Sequence, residues 1–396
     1  MKKHVLLSAA VLLGCSDSPT TPPLVPAAPD TLAVLGLGHV AERYTGEVAV
    51  RGDWAYTSTW SNRNGVPGNA VKIWNVAGAT PMLVDSLIVP GASTTGDVQI
   101  SDDGALLVVA IEPNPNGAIM IYDRSDPARP DSIARFRSAS TLQGVHTVKL
   151  GRVDGRHYAF LSIDPAAEPA RLVMVDITDP AQPFEAGSLR IGAPFMHDVF
   201  VRDGLLFAAV WHDGLRIYDI GGGGRGGSVA EPVQLGHVTT RSGSIHNIWW
   251  FHDPASGSER YVFLGEEAPG SVLSTAAGDV HVIDVTDLSQ PVQVAQYALP
   301  GAGAHNFTMD EASGVLYAAF YNGGVRALDV RGDLGVCMAA QRNDDGFCDL
   351  RSMDRELAVA VPSGAYIWGV AHQDVHIYAS DMKAGLYKVD AASLQR

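Results

Sequence analysis

The sequence predicts an all-β chain folded as a seven-bladed β-propeller, and three observations carry that prediction. Short Val/Ile-rich runs, bounded by Gly, Asp and Pro, recur along 396 residues that include 42 glycines and 23 prolines. That composition favours many short strands over helices. A pentapeptide of alternating apolar character ending in Asp or Asn occurs seven times at roughly fifty-residue spacing. The seventh unit then ends too soon to hold four strands, and the chain start supplies a segment that matches the missing one.

The pentapeptides are Val71–Asn75, Ile119–Asp123, Leu172–Asp176, Leu215–Asp219, Val280–Asp284, Val325–Asp329 and Leu386–Asp390. Each reads as the third strand of a unit. After several comes a proline turn, as in SDPARP (125–130), TDPAQP (178–183) and TDLSQP (286–291). Asp caps such a turn and Pro fixes φ, so the strand stops there. A second strand precedes each pentapeptide, as at Leu205–Val210. First strands begin near 47, 97, 147, 198, 247, 306 and 369. A fourth strand follows the proline turn, as in PVQLGHV (232–238). Four strands repeated seven times is the signature of a propeller. LAVLGLGHV (32–40) resembles PVQLGHV and is expected to complete blade seven, closing the ring and removing an exposed edge.

Leu172-Val-Met-Val-Asp176 differs at one position from the motif that names the LVIVD-repeat proteins, and the chain resembles that family over roughly residues 32–390. The resemblance implies a secreted or surface-anchored propeller without an assigned reaction.

The N-terminus reads as an export signal. MKKHVLLSAAVLLGC places Lys2 and Lys3 before an apolar run, Val5 to Leu13, too short to span a membrane. Leu12-Leu13-Gly14-Cys15 resembles a bacterial lipobox, which makes residues 1–15 a lipoprotein signal with Cys15 as the lipid anchor. Residues 16–31, rich in Pro, Ser and Thr, read as a tether, and 32–396 as the propeller. The expected location is the bacterial cell envelope, held to the membrane through the lipid, with Ser16 after the anchor leaning towards an outer membrane or the cell surface. Export also makes a disulfide between Cys337 and Cys348 the simple reading of those cysteines. The rival, a calcium loop on Asn343, Asp344 and Asp345, lacks the full ligand spacing. A net charge of −15 excludes nucleic acid as a partner.

Aligned first strands place a histidine at one position in four consecutive blades: His146, His197, His246 and His305. Blades one, two and seven hold Gly46, Gly96 and Trp368 there. The next position is often polar, as at Glu47, Asp97, Asp198, Asn247 and Asn306. Four imidazoles suffice to hold one transition ion such as Zn, Cu or Fe. The competing reading gives each histidine a bridging hydrogen bond to a neighbouring turn. Second-to-third-strand turns should gather at the same channel mouth. They nominate Asp213 and the Glu266-Glu267 pair as acid, base or extra ligand, with Glu266 put forward beside Asp213, and Trp60, Trp211, His212, Tyr321 and Asn322 as ligand contacts, to which the first-strand position adds Trp368.

Three functions follow: a surface protein binding a ligand, metal ion or protein at the channel mouth; a four-histidine metal-dependent oxidoreductase or hydrolase; or a structural platform for protein interaction. GGGGRGG (221–227) lacks the Lys and Ser/Thr of a phosphate loop and reads as a flexible insertion. No nucleophile-elbow pattern supports a serine hydrolase.

Overall fold

The computed structural model describes residues 26–112, 116–163, 170–192, 195–241, 243–269 and 273–395. Cys15, the signal segment and most of the tether lie outside the described residues. Seven antiparallel four-stranded meanders form the blades, each running from an inner first strand to an outer fourth. Blade 4 shows the unit: Asp198–Arg202, Leu205–Ala209, Leu215–Asp219 and Val233–Val238. Its register runs Asp198↔Ala209 and Ala209↔Leu215.

The inner strands are packed on both faces, so they read as unbroken apolar runs rather than alternating ones. Leu106–Ile111 of blade 2 is buried at every residue. Among the described residues the core accordingly divides into one cluster at each junction of neighbouring blades, with a further small cluster of Ala276, Tyr321, Tyr366 and Met382. Blades 4 and 5, for example, interlock through Phe207, Ile217, Trp250, Val262 and Ile283. Outer strands meet water, and Met82–Ile88 is largely exposed.

The terminal Asp or Asn of the repeated pentapeptide has one task in all seven blades. Its side-chain oxygen accepts the N–H two residues on: Asn75 from Ala77, Asp123 from Ser125, Asp176 from Thr178 and Asp219 from Gly221. Asp284, Asp329 and Asp390 accept likewise from Thr286, Arg331 and Ala392. This local bond starts the turn and ends the strand.

Blade 7 closes as expected. Val34–His39 lies antiparallel to Gly385–Asp390, pairing Leu37 with Tyr387. At Gly38 an added Cβ would sit 2.4 Å from the Trp74 ring, so only glycine permits this approach between blades 7 and 1. Two residues expected in the tether, Asp30 and Thr31, instead add a parallel fifth strand to the edge of blade 6. Unpaired backbone groups on that edge supply the reason. Cys348–Asp349 extends blade 5 in the same manner.

Cys337 and Cys348 are joined in a disulfide. The loop between them is organised by Asn343, whose side-chain oxygen accepts the N–H groups of Asp345 and Phe347. Asp345 pairs with Arg241 at 3.0 Å, so these side chains serve protein contacts. GGGGRGG is also ordered rather than a loose insertion. It wraps the Asp219 carboxylate, which accepts N–H bonds from Gly221, Gly223, Arg225 and Gly227 at 2.7–3.2 Å. At Gly227 a Cβ would lie 2.1 Å from the Asp219 carbonyl oxygen, which explains the demand for glycine there.

Candidate metal centre

Equivalent strand starts bring the four histidines into one contiguous row at the end of the channel. Neighbouring rings lie 4.4 Å (His146–His197), 3.7 Å (His197–His246) and 4.0 Å (His246–His305) apart by centroids. The spacing of 59 residues before His305 reflects an added hairpin, Ala268–Pro269 against Ala276–Ala277, in the second-to-third-strand turn of blade 5. Gly96 continues the row in blade 2 because no larger residue fits. A Cβ there would lie 2.2 Å from the His146 carbonyl oxygen.

The rings meet one another along the row, and at its two ends they also bridge to neighbouring blades, His146 to Glu112 beyond the second strand of blade 2 and His305 to Trp368 of blade 7. His146 Nε2 and His197 Nε2 are 2.8 Å apart, so one must carry the shared proton. Outer nitrogens are fixed at both ends of the row. His146 Nδ1 faces Glu112 Oε1 at 2.8 Å, and His305 Nδ1 donates to the Trp368 carbonyl at 2.6 Å. His305 Nε2 is buried with no hydrogen-bond partner among the described residues, as are Nδ1 of His197 and Nδ1 of His246. Burial above all, then the neighbouring imidazoles, holds His197 and His246 well below the usual histidine range. Burial likewise lowers His305 to about 3. These three rings are therefore neutral at physiological pH, the form that ligates a cation.

Glu267 belongs to this centre and Glu266 does not. Glu267 Oε2 lies 3.9 Å from His246 Nε2, and a nitrogen of His197, a nitrogen of His246 and a Glu267 oxygen all fall within 4.8 Å of one another. Tyr321 donates its hydroxyl to Glu267. Burial raises the Glu267 carboxyl above its usual range. Glu266, one residue earlier and pointing the other way, faces His281 at 3.3 Å inside blade 5. The sequence pair Glu-Glu gave no sign of which member would turn inwards. Glu112 was also missed, since it lies beyond the second strand of blade 2 in no repeated register.

Other nominated residues divide cleanly. Trp60 and Trp368 line the channel cavity, with ring centroids 5.7 Å apart. Trp211 stacks on His197 at 5.5 Å and Tyr321 packs against His305 at 4.9 Å. Asp213, His212 and Asn322 are turned elsewhere. Asp213 is held by Arg216 at 2.6 Å and His237 at 3.3 Å. His212 Nδ1 meets the Gly243 carbonyl, and Asn322 donates to Gly301 at 2.7 Å.

Beneath the histidines the next residues of the first strands of blades 1 to 6 form a polar tier around a cavity of about 110 Å³. Glu47, Asp97, Asp198 and Asn306 line it, with Lys149 below. Burial raises Asp198 to about 7, lifts Asp97 and, with help from Asp97, lifts Glu47 well above its usual range. The Asn247 carboxamide ties blades 5 and 6 by donating to the His305 carbonyl (2.7 Å) and accepting from Phe307 N–H (2.9 Å).

Residues 166–190, a span that includes the third and fourth strands of blade 3 (Arg171–Asp176 and Phe184–Arg190), match the LVIVD repeat family. The chain carries an LVIVD repeat on a seven-bladed propeller. The chain is also similar in structure to the C-terminal WD40 domain of Sif2, seen in a crystal structure. The likeness has 12% identity and a TM-score of 0.57, and covers 92% of this chain and 99% of that one. At that identity it shows the fold alone. No curated protein matches the chain.

Proposed function

We propose that this LVIVD-repeat propeller binds one transition-metal ion through His146, His197, His246 and His305, with Glu267 beside them. One observation carries the reading. Four imidazoles stand in one row, nitrogens of His197 and His246 and a Glu267 oxygen lie within 4.8 Å of one another, and the outer nitrogens at both ends are anchored to a carboxylate and a carbonyl. Ligating histidines use that arrangement to fix tautomer and ring direction. A row of neutral imidazoles with buried, unpartnered nitrogens is costly unless something occupies those nitrogens. Zn, Cu and Fe suit the donor set. The lipobox-like Cys15 and the tether support a setting outside the cytoplasm, anchored to the cell envelope.

Elemental analysis of the protein exported to a periplasm and purified without chelators tests this. Near-stoichiometric metal is expected, with none in a folded variant carrying alanine at all four histidines. An apo protein that takes up no ion after incubation with Zn²⁺, Cu²⁺, Fe²⁺ or Ni²⁺ would overturn it.

A further inference from the structure

A second group of ligating side chains stands at the opposite end of the inner strands. His252 lies beyond His246 on the same strand, Ile245–Asp253, about 20 Å away at roughly 3.3 Å per residue. Asp203 reaches it from blade 4, at the tip of the two-residue turn that pairs Arg202 with Leu205. The φ values of +52° at Asp203 and +70° at Gly204 are those of a tight hairpin turn, which Asp-Gly favours. Glu259 lies at the start of the second strand of blade 5, where its carbonyl accepts the Trp250 indole N–H at 2.8 Å. The Trp250 ring meets the His252 ring edge to face, with centroids 4.2 Å apart.

The three side chains surround a gap. His252 Nδ1 is 3.8 Å from Asp203 Oδ2 and 3.7 Å from Glu259 Oε1, and one ligand atom from each residue lies within 4.8 Å of the other two. Neither contact is a hydrogen bond, which needs N···O within about 3.2 Å. His252 Nε2 is buried with no hydrogen-bond partner among the described residues. A proton on Nδ1 would draw one carboxylate in, so the spacing is that of three electron-pair donors facing one another. The nearest guanidinium, Arg202, is held by Glu311 at 2.8 Å. Among the described residues no lysine or arginine pairs with Asp203 or Glu259.

We infer that Asp203, His252 and Glu259 bind a divalent cation of the zinc class, at a site separate from the histidine row. Zinc bonds of about 2.0–2.1 Å in tetrahedral directions place ligand atoms about 3.4 Å apart. The three side chains reach that spacing by small rotations of two exposed carboxylates. The imidazole favours such an ion over calcium and magnesium, which take oxygen ligands. Three protein ligands leave a fourth position to water. The Asp203 and Glu259 side chains are 68% and 56% exposed, so this site holds its ion loosely. It fills on titration and empties during purification, unlike a buried row.

Calorimetric titration of the chelator-treated full-length protein with Zn²⁺ tests this. His252→Ala should lower the number of ions bound by one, whatever the row holds. Asp203→Asn and Glu259→Gln should each weaken that binding event at least tenfold. Asn tolerates the positive φ at 203, so the turn is kept. An excess of Ca²⁺ should leave the titration unchanged. A folded variant with alanine at all four row histidines should keep the event, which separates this site from the row. An ion count that His252→Ala leaves unchanged, or displacement of the ion by Ca²⁺, would overturn the inference and leave an adventitious ion only.

Discussion

The Nδ1 nitrogen of His305 lies 2.6 Å from the carbonyl oxygen of Trp368, across the junction of blades 6 and 7. A carbonyl accepts only, so Nδ1 carries the proton and the lone pair of the neutral ring sits on Nε2. At the far end of the row Glu112 places the same demand on His146. The row is thus held from both ends by groups that touch no ion themselves.

Glu112→Gln tests that relationship without removing a ligand. The amide keeps the shape but loses the charge that makes the His146 ring a stronger donor. Metal affinity should fall roughly 10–100-fold, as is usual when an outer partner of a ligating histidine is changed. Competition with a chromophoric chelator measures it, and the melting temperature of the metal-free protein should stay nearly constant. Unchanged affinity would remove Glu112 from the site.

The polar tier makes an opposite kind of prediction, about the protein stripped of metal. Asp198 titrates near 7 in the fold because burial disfavours its charge, with Asp97 adding repulsion against relief from Lys149 and His146. Its pKa is raised on folding, so the native state holds a proton that the unfolded chain has released. Stability is therefore favoured below about pH 4 and lost as pH climbs towards 7. Asp198→Asn should stabilise the chelator-treated protein at pH 8, and the gain should vanish near pH 4. Melting curves across that range decide it; a constant difference would place the group in a solvated environment.

Much of this was legible before any coordinates. The pentapeptide ends in Asp or Asn because that side chain starts the turn, so strand ends announce themselves in every blade. Ring closure was legible because LAVLGLGHV repeats a fourth-strand pattern out of place. The four histidines shared a register, and a register in a repeat becomes a place in space. What stayed hidden had no register. Glu112 and Glu267 reach the row from turns whose paths only packing decides, and Asp213 was claimed by Arg216 three residues on. GGGGRGG looked loose because the sequence does not show that one buried carboxylate gathers four of its N–H groups.

That carboxylate gives the third prediction. Asp219 is pulled down to about 2 by the N–H bonds of the glycine loop, in spite of its burial. Asp219→Asn would turn an amide N–H₂ towards two of those donors, at an expected cost of about 2–3 kcal/mol, the scale of hydrogen bonds to a charged group. A depressed pKa stabilises the fold above the unfolded value near 4, and the benefit is lost as pH falls through about 2. Denaturant unfolding at pH 7 and pH 2 should show the variant and parent converging in acid. A difference that persists at pH 2 would mean the loop is held by something else.

Ring closure supplies the last prediction. Leu32 is buried in the cluster between blades 6 and 7, and Val40 in the one between blades 7 and 1. Deleting residues 1–40 removes the outer strand of blade 7 and bares the edge of Gly385–Asp390 beside Trp74 and Leu386. An open propeller with such an edge should aggregate or unfold without cooperativity. Deleting only residues 1–29 keeps Asp30–Thr31 and Val34–His39, and that protein should melt as the parent does. Gly38→Val is the point version of the same test, since its side chain would press into the Trp74 ring. It should lower the melting temperature by several degrees while the shorter deletion does not. Equal behaviour of the two deletions would show that the strand is dispensable and that blades 1 to 6 hold the ring on their own.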